Sequence, residues 1–194
     1  TPIGSSPPDL STTFVGSTPT APVTGRTPTG TLVVAVPDVG SPAFLNSGAN
    51  WPLNMLHTGF GLTENLARAR GDGANPMLAT SWAISSNLDE AVFRLREGVT
   101  FRGNDGGWGE MTAEDVAWSF NDAGAHNPES NHHRASILEP TYHPWEAMDD
   151  ITVLARFDSF RGDWLDATIT DAGGGPGILS RRVFSEQGAE TLTA

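Results

Sequence analysis

Residues 78–120 carry the strongest structural signal in the chain and read LATSWAISSNLDEAVFRLREGVTFRGNDGGWGEMTAEDVAWSF. In the first half, Trp82 and Ile84 alternate with small or hydroxyl-bearing residues, and Phe93 and Leu95 alternate with arginines. Side chains of a β-strand point alternately to opposite faces, so this period of two predicts a β-hairpin with one apolar face. The polar stretch between the two runs is the predicted turn.

The second half of this stretch predicts a helix that begins after Thr112. The Thr112 hydroxyl can accept a hydrogen bond from an unpaired backbone N–H of the first turn, and Asp115 follows at the capping-box spacing. Glu114 and Asp115 also place negative charge at the positive end of the helix dipole. Apolar residues then recur with the spacing of one helix face, at Ala113, Val116, Ala117 and Phe120. The stretch therefore predicts a strand–strand–helix unit with a core face.

Three blocks of this region carry a family resemblance: residues 76–82 (PMLATSW), 93–101 (FRLREGVTF) and 111–116 (MTAEDV), the last followed by Ser119. In order and spacing they resemble the signature of the extracellular solute-binding proteins of peptide-type ABC importers, which include dipeptide, oligopeptide and nickel binders. The chain departs from the family pattern at two turns. The family usually has Asp-Gly where this chain has Leu88, Asp89 and Glu90, and a short Asp-Gly turn is expanded here to residues 104–109.

The resemblance covers residues 29–194 and implies a mixed α/β (α+β) fold, the N-terminal portion of a two-lobed periplasmic-binding-protein-like fold. It implies a hairpin-and-helix subdomain at about residues 51–170 and a C-terminal lobe that is absent from the chain. Residues 1–28 are rich in Pro, Thr, Ser and Gly and cannot bury enough surface to offset their ordering entropy. We expect them to form a flexible linker, either a tether to a membrane anchor or an ordinary disordered terminus.

Composition excludes several classes of function. The chain of 194 residues has a net charge of −12, and all 11 of its basic residues are arginine. Such a balance argues against a nucleic-acid surface and against binding to anionic lipid. There is no cysteine, and no apolar run approaches the roughly 20 residues that span a bilayer. The resemblance implies an extracytoplasmic location, in the periplasm or lipid-anchored on the outer face of the cell membrane, with any lipid-bearing cysteine upstream of Thr1.

One candidate ligand-contact segment follows the apolar run at residues 31–36, which predicts a core strand. Pro37 ends that strand, and the four residues after Pro37 form a predicted turn at the strand's carboxyl end, where open α/β sheets bind ligands. The resemblance likewise places this loop at the border of the ligand cleft. An ordinary exit from a strand remains the alternative. The candidate ligand-binding residues of this loop are Asp38, Val39, Gly40 and Ser41.

A second candidate segment contains His126, His132, His133 and His143. Imidazole suits nickel, copper or zinc, so a metal-binding or protein-interaction domain is the alternative function. The adjacent His132 and His133 cannot both face one ion from a regular element, and no Asp or Cys completes a recognised spacing. We therefore predict no metal site. The resemblance implies that the segment after the signature helix approaches the cleft, so His132 and His133 are candidate ligand contacts.

The sequence predicts a binding protein rather than an enzyme. It has no nucleophile elbow, zinc-protease motif, Walker loop or dinucleotide fingerprint, and no catalytic residue or cofactor is assigned. The resemblance implies a monomer that captures a peptide or another small solute and delivers it to an ABC permease in the membrane. Later in the chain, residues 145–157 predict a second hairpin that turns at Asp149 and Asp150. Residues 173–177 predict a flexible glycine connection, and residues 178–187 a short helix ending at Gly188.

Overall fold

A computed structural model describes the part of the chain that follows the predicted ligand loop. The described residues are 63–71, 73–103, 106–132, 135, 143–159, 161–171 and 174–188. Three predictions lie outside them: the linker at residues 1–28, the strand at 31–36 and the loop at 38–41. Residues 51–62 of the predicted subdomain also lie outside them.

Eight strands and three helices are found in the described residues. In chain order they are β1 (Ala67–Arg70), β2 (Gly73–Pro76), β3 (Ala79–Ile84), β4 (Glu90–Leu95), β5 (Thr100–Gly103), β6 (Gly106–Glu110), α1 (Ala113–Ala123), β7 (Glu146–Asp149), β8 (Thr152–Arg156), α2 (Trp164–Ile169) and α3 (Arg181–Gln187). No helix among the described residues is long and apolar enough to cross a membrane.

The main sheet has four antiparallel strands in the order β3-β4-β8-β7. The predicted first hairpin is confirmed, because Trp82 lies opposite Phe93 in the β3–β4 register. Phe93 and Leu95 are buried while the arginines between and after them are exposed, as the period of two predicts. The second predicted hairpin is also confirmed as β7–β8, with Val153 and Ala155 buried. There are also two short hairpins: β1–β2 precedes the sheet in sequence, and β5–β6 lies between β4 and α1.

Helix α1 begins as predicted and packs against β7 and β8. Oδ2 of Asp115 accepts hydrogen bonds from the Thr112 backbone N–H at 2.8 Å and from its hydroxyl at 3.1 Å. Asp115 is also buried, and its Oδ1 accepts the backbone N–H of Arg181 at 2.8 Å. One carboxylate therefore fixes the start of α1 and ties it to the start of α3.

Aromatic rings fill the space between the sheet and the helices. Trp145 stacks on Phe120 of α1 with ring centroids 3.8 Å apart and on Phe93 of β4 at 5.3 Å. Trp164 at the start of α2 is fully buried and meets Phe157 edge to face at 4.4 Å. These two tryptophans are core residues, and they join the sheet to α1 and α2.

The turn of the β3–β4 hairpin has an uncommon backbone conformation. Leu88 has φ of 59°. It belongs to the turn Leu88–Glu90, which replaces the Asp-Gly turn usual in the family that the sequence resembles. Left-handed backbone costs an ordinary residue roughly 1–2 kcal/mol, whereas glycine adopts it freely. The turn is held by Ser85, whose hydroxyl accepts the backbone N–H groups of Asp89 and Glu90.

The described part of the glycine-rich insert, residues 106–109, belongs to strand β6 of a hairpin. Strand β5 pairs with β6, with Gly103 opposite Gly106. The Trp108 ring lies against Gly103 so closely that a Cβ on Gly103 would overlap it. Trp108 is therefore half-buried across the strand pair.

The predicted flexible connection at residues 173–177 is wrong for the part that the structure describes. Gly174, Gly175 and Gly177 are all buried. A Cβ on Gly175 would overlap the carbonyl oxygen of Thr168, and one on Gly177 would overlap the Thr63 side chain. Glycine is needed here for close approach of the backbone rather than for flexibility. Ser180 caps helix α3, with its hydroxyl accepting the Val183 N–H at 3.4 Å, and Gly188 with φ of 77° follows the end of the helix, as predicted.

Candidate functional site

The histidine segment leaves the C-terminal end of α1 as a series of tight turns. Gly124 donates to the Phe120 carbonyl at 2.9 Å, and Asn127 donates to the Gly124 carbonyl at 3.0 Å. The Ser130 hydroxyl donates to the Ala123 carbonyl at 2.6 Å and accepts the backbone N–H of His132 at 3.3 Å. These bonds hold the chain up to His132 against the helix end.

The structure describes one of the six predicted ligand contacts, His132. Asp38, Val39, Gly40, Ser41 and His133 lie outside the described residues. His132 is described and is 4% exposed, so its imidazole is almost entirely enclosed by the protein. Contact of these residues with a ligand stays a prediction.

The other two histidines of the segment are exposed and lie at its two ends. His126 follows α1, and His143 precedes β7. Nε2 of His143 lies 3.0 Å from Asp158 Oδ1, and the backbone N–H of His143 donates to the Arg156 carbonyl at 3.1 Å. Within the described ranges, no group of three or more His, Cys, Asp or Glu side chains is arranged to hold a metal ion.

The chain re-enters the core after this segment through a clamp from α1. The Asn121 side chain accepts the Trp145 N–H at 2.7 Å and donates to the Trp145 carbonyl at 3.0 Å. Both backbone groups of Trp145 are thereby satisfied at the point where its ring enters the core. The clamp fixes where the histidine segment ends, as the Ser130 bonds fix where it starts.

Charged side chains on the main sheet are engaged with one another. The Arg156 guanidinium donates to Glu146 at 2.7 Å and to Glu90 at 3.1 Å, which joins β8 to both neighbouring strands. The hydrogen bond to Glu146 is the chief cause that raises the pKa of Arg156 above its usual value, with the Glu90 bond adding to it. This arginine is committed to the sheet and is not free for a ligand.

A cavity of about 230 Å³ lies at the β1–β2 hairpin. Its lining residues are Glu64, Arg68, Arg70, Asn75, Pro76, Met77 and Arg96. The sequence analysis did not single out Arg68 and Arg70, although the alternation of arginine with Ala67 and Ala69 is the two-residue period of a strand. That period was the available signal for a basic face on β1.

Comparison with known proteins supports the sequence resemblance. Residues 73–159 match the family described as bacterial extracellular solute-binding proteins, family 5, middle. That span contains the three signature blocks and both hairpins of the main sheet. No curated protein matches the chain by sequence.

Solved structures with the same fold come from several bacteria. The ABC transporter-associated periplasmic binding protein DppA from Helicobacter pylori, in complex with the peptide STSA, has a TM-score of 0.63 at 21% identity, covering 78% of this chain and 32% of that chain. The dipeptide-binding protein from Pseudoalteromonas sp. SM9913, in complex with Met-Leu, has a TM-score of 0.58 at 20% identity. The match covers 68% of this chain and 28% of that chain. NikZ from Campylobacter jejuni, in complex with Ni(L-His), has a TM-score of 0.54 at 20% identity. The match covers 81% of this chain and 28% of that chain.

The chain therefore spans about a third or less of the length of these solved proteins. At these identities the likeness shows the fold, which is that of part of a periplasmic binding protein. The predicted mixed α/β fold class and the predicted resemblance are both confirmed.

Proposed function

With residues 73–159 matching the family 5 extracellular solute-binding proteins, we propose that the chain is part of the substrate-binding component of an ABC importer. It captures a peptide or a similar small polar solute and presents it to a permease in the membrane. The observation that carries this proposal is the family match over the β3–β4 hairpin, α1 and the β7–β8 hairpin. The likeness to proteins solved with STSA and Met-Leu favours peptides.

The proposed mechanism is capture between two lobes that close over the solute. The chain supplies the N-terminal lobe as residues 29–194, preceded by a linker at 1–28, and a second lobe lies outside it. Closure excludes water from the solute, so backbone groups and a few side chains can pair with it. Residues 38–41, His132 and His133 are the proposed contacts on this lobe. The chain has no catalytic role in this mechanism, acts as a monomer and works outside the cytoplasm.

The test compares the chain alone with the gene product extended by the segment that follows it. A mixed di- and tripeptide pool, then single peptides, are titrated against both by calorimetry and by thermal unfolding. A ligand at a hundredfold excess over its dissociation constant stabilises the bound protein by about 2.7 kcal/mol. We expect that stabilisation in the extended protein and almost none in the chain alone, because half of the contacts are missing.

Two outcomes would contradict the proposal in different ways. Tight peptide binding by the chain alone would refute the two-lobe mechanism. An extended protein that binds no peptide, but binds nickel or zinc tightly and loses that binding in His132→Ala/His133→Ala, would favour the metal-binding alternative.

A further inference from the structure

The arginine-lined cavity has a charge opposite to that of the chain as a whole. The chain has a net charge of −12, yet three of its 11 arginines line this one cavity of about 230 Å³. Glu64 is the carboxylate in the lining. Positive side chains are thus concentrated at one concave site on a protein whose other charges are mostly negative.

The three arginines differ in how far they are already neutralised. Nε of Arg68 lies 3.2 Å from Asp171 Oδ2, so that guanidinium is partly committed. Within the part of the chain that the structure describes, neither Arg70 nor Arg96 lies within ion-pair distance of a carboxylate. Two guanidinium groups at the cavity therefore have donors that no carboxylate of the described residues takes up.

The backbone that carries these arginines is held in place. Arg68 and Arg70 are two residues apart on β1, so both side chains leave the same face of the strand. Asp171 Oδ1 accepts the backbone N–H of Ala69 between them at 2.9 Å. The backbone N–H of Arg96 donates to the Leu78 carbonyl at 2.8 Å, which fixes the end of β4 beside the cavity.

We propose that this cavity binds an oxyanion, the carboxylate or phosphate group of a small solute, through Arg70 and Arg96. A guanidinium presents two parallel N–H groups that match the two oxygens of a carboxylate or phosphate. Ligand pockets for drug-sized molecules are about 300–1,000 Å³, so a cavity of this size suits a small anion. Glu64 in the lining repels additional negative charge, which favours a mono- or dianion over a larger polyanion. The site is independent of the proposed importer role, since it uses none of the residues assigned to the solute cleft.

The test titrates the protein with inorganic phosphate and with succinate at constant ionic strength, following heat and thermal unfolding. The variant is Arg70→Gln/Arg96→Gln, and the matched control is Arg102→Gln, an exposed arginine on β5 outside the cavity. We expect saturable binding of at least one anion, weakened at least tenfold in the double variant and unchanged in the control. Which probe binds more tightly identifies the anionic group.

A second pair of substitutions separates the fork geometry from charge alone. Arg70→Lys/Arg96→Lys keeps both charges but cannot form the two-pronged contact, so its affinity should fall between those of the native protein and the glutamine variant. Absence of saturable binding of both anions at millimolar concentrations would overturn the proposal. So would an Arg102→Gln variant that weakens binding as much as the double variant does.

Discussion

Removal of the Asp115 carboxylate should destabilise the protein far more than removal of the neighbouring Glu114 carboxylate. Asp115 is 6% exposed and accepts three hydrogen bonds, two from Thr112 and one from the backbone of Arg181. In Asp115→Ala, two backbone N–H groups at the starts of α1 and α3 lose their acceptor. A buried donor left unpaired costs about 1–3 kcal/mol, and these two bonds are partly buried, so we expect a loss of about 2–4 kcal/mol.

Glu114→Ala is the matched control, because it removes the same charge from the same helix turn. The Glu114 side chain is 68% exposed and lies 3.1 Å from Arg181 Nη1. An exposed ion pair contributes about 0–1 kcal/mol, so this variant should remain close to the native protein. Both variants lose the favourable interaction with the helix dipole, which therefore cancels in the comparison.

The measurement is urea unfolding of both variants, followed by circular dichroism and by tryptophan fluorescence. A typical domain is stable by about 5–15 kcal/mol, so Asp115→Ala should still fold but unfold at a much lower midpoint. Asp115→Asn should fall between the two, since its single side-chain oxygen cannot replace both carboxylate oxygens. Equal losses in Asp115→Ala and Glu114→Ala would refute the role given to this carboxylate.

Three further predictions concern turns and close contacts. Leu88→Gly should raise the free energy of unfolding by up to about 1 kcal/mol, because relief of left-handed strain exceeds the entropy cost of glycine; a lower urea midpoint would contradict it. Gly175→Ala should destabilise by about 1–3 kcal/mol through overlap with the Thr168 carbonyl, whereas Gly162→Ala, with open space around it, should be nearly neutral in the same assay. The hydrogen bond from the Ile151 N–H is the chief cause that lowers the pKa of Asp149 from its ordinary value of 3.8. The ionised carboxylate therefore stabilises the folded protein above that ordinary value, and this stabilisation is lost as the pH falls through the lowered pKa. The difference in unfolding midpoint between Asp149→Ala and the native protein should therefore narrow in acid, and a difference that grows in acid would contradict it.

Local patterns in the sequence predicted the central part of the fold. The alternation around Phe93 and the cap at Thr112 depend on residues within a few positions of one another, and both are found as predicted. The three signature blocks added the fold class, because their order and spacing reflect a whole hairpin-and-helix unit.

Features that depend on distant residues were missed. Strand β1 contains only alanine and arginine, which have little preference for strands, and it is held by bonds from Asp171 about a hundred positions away. The glycines near residue 175 were interpreted as flexible because the sequence does not show that Thr63 and Thr168 pack against them. Arg96 lies far from Arg68 and Arg70 in sequence, and the three line one cavity only once β1 and the end of β4 are placed. The contacts predicted at residues 38–41 rest on their place after a predicted strand and on the resemblance, and the contact predicted at His133 rests on the resemblance alone.

The close packing around Asn65 brings two distant points of the chain together. The Asn65 side chain donates to the carbonyls of Gly175 and Pro176, and the Ile178 N–H donates to the Glu64 carbonyl at 3.0 Å. Ala67 and Thr170 also form a parallel bridge. The segment that contains the main sheet and α1 therefore has its two ends side by side at the Ala67–Thr170 bridge, as an inserted domain does. Units with adjacent ends tolerate circular permutation. A permuted chain opened at the exposed Leu88 turn should therefore keep the Phe93–Trp145–Phe120 stack, provided that it retains α3, whose Arg181 N–H donates to Asp115 of α1.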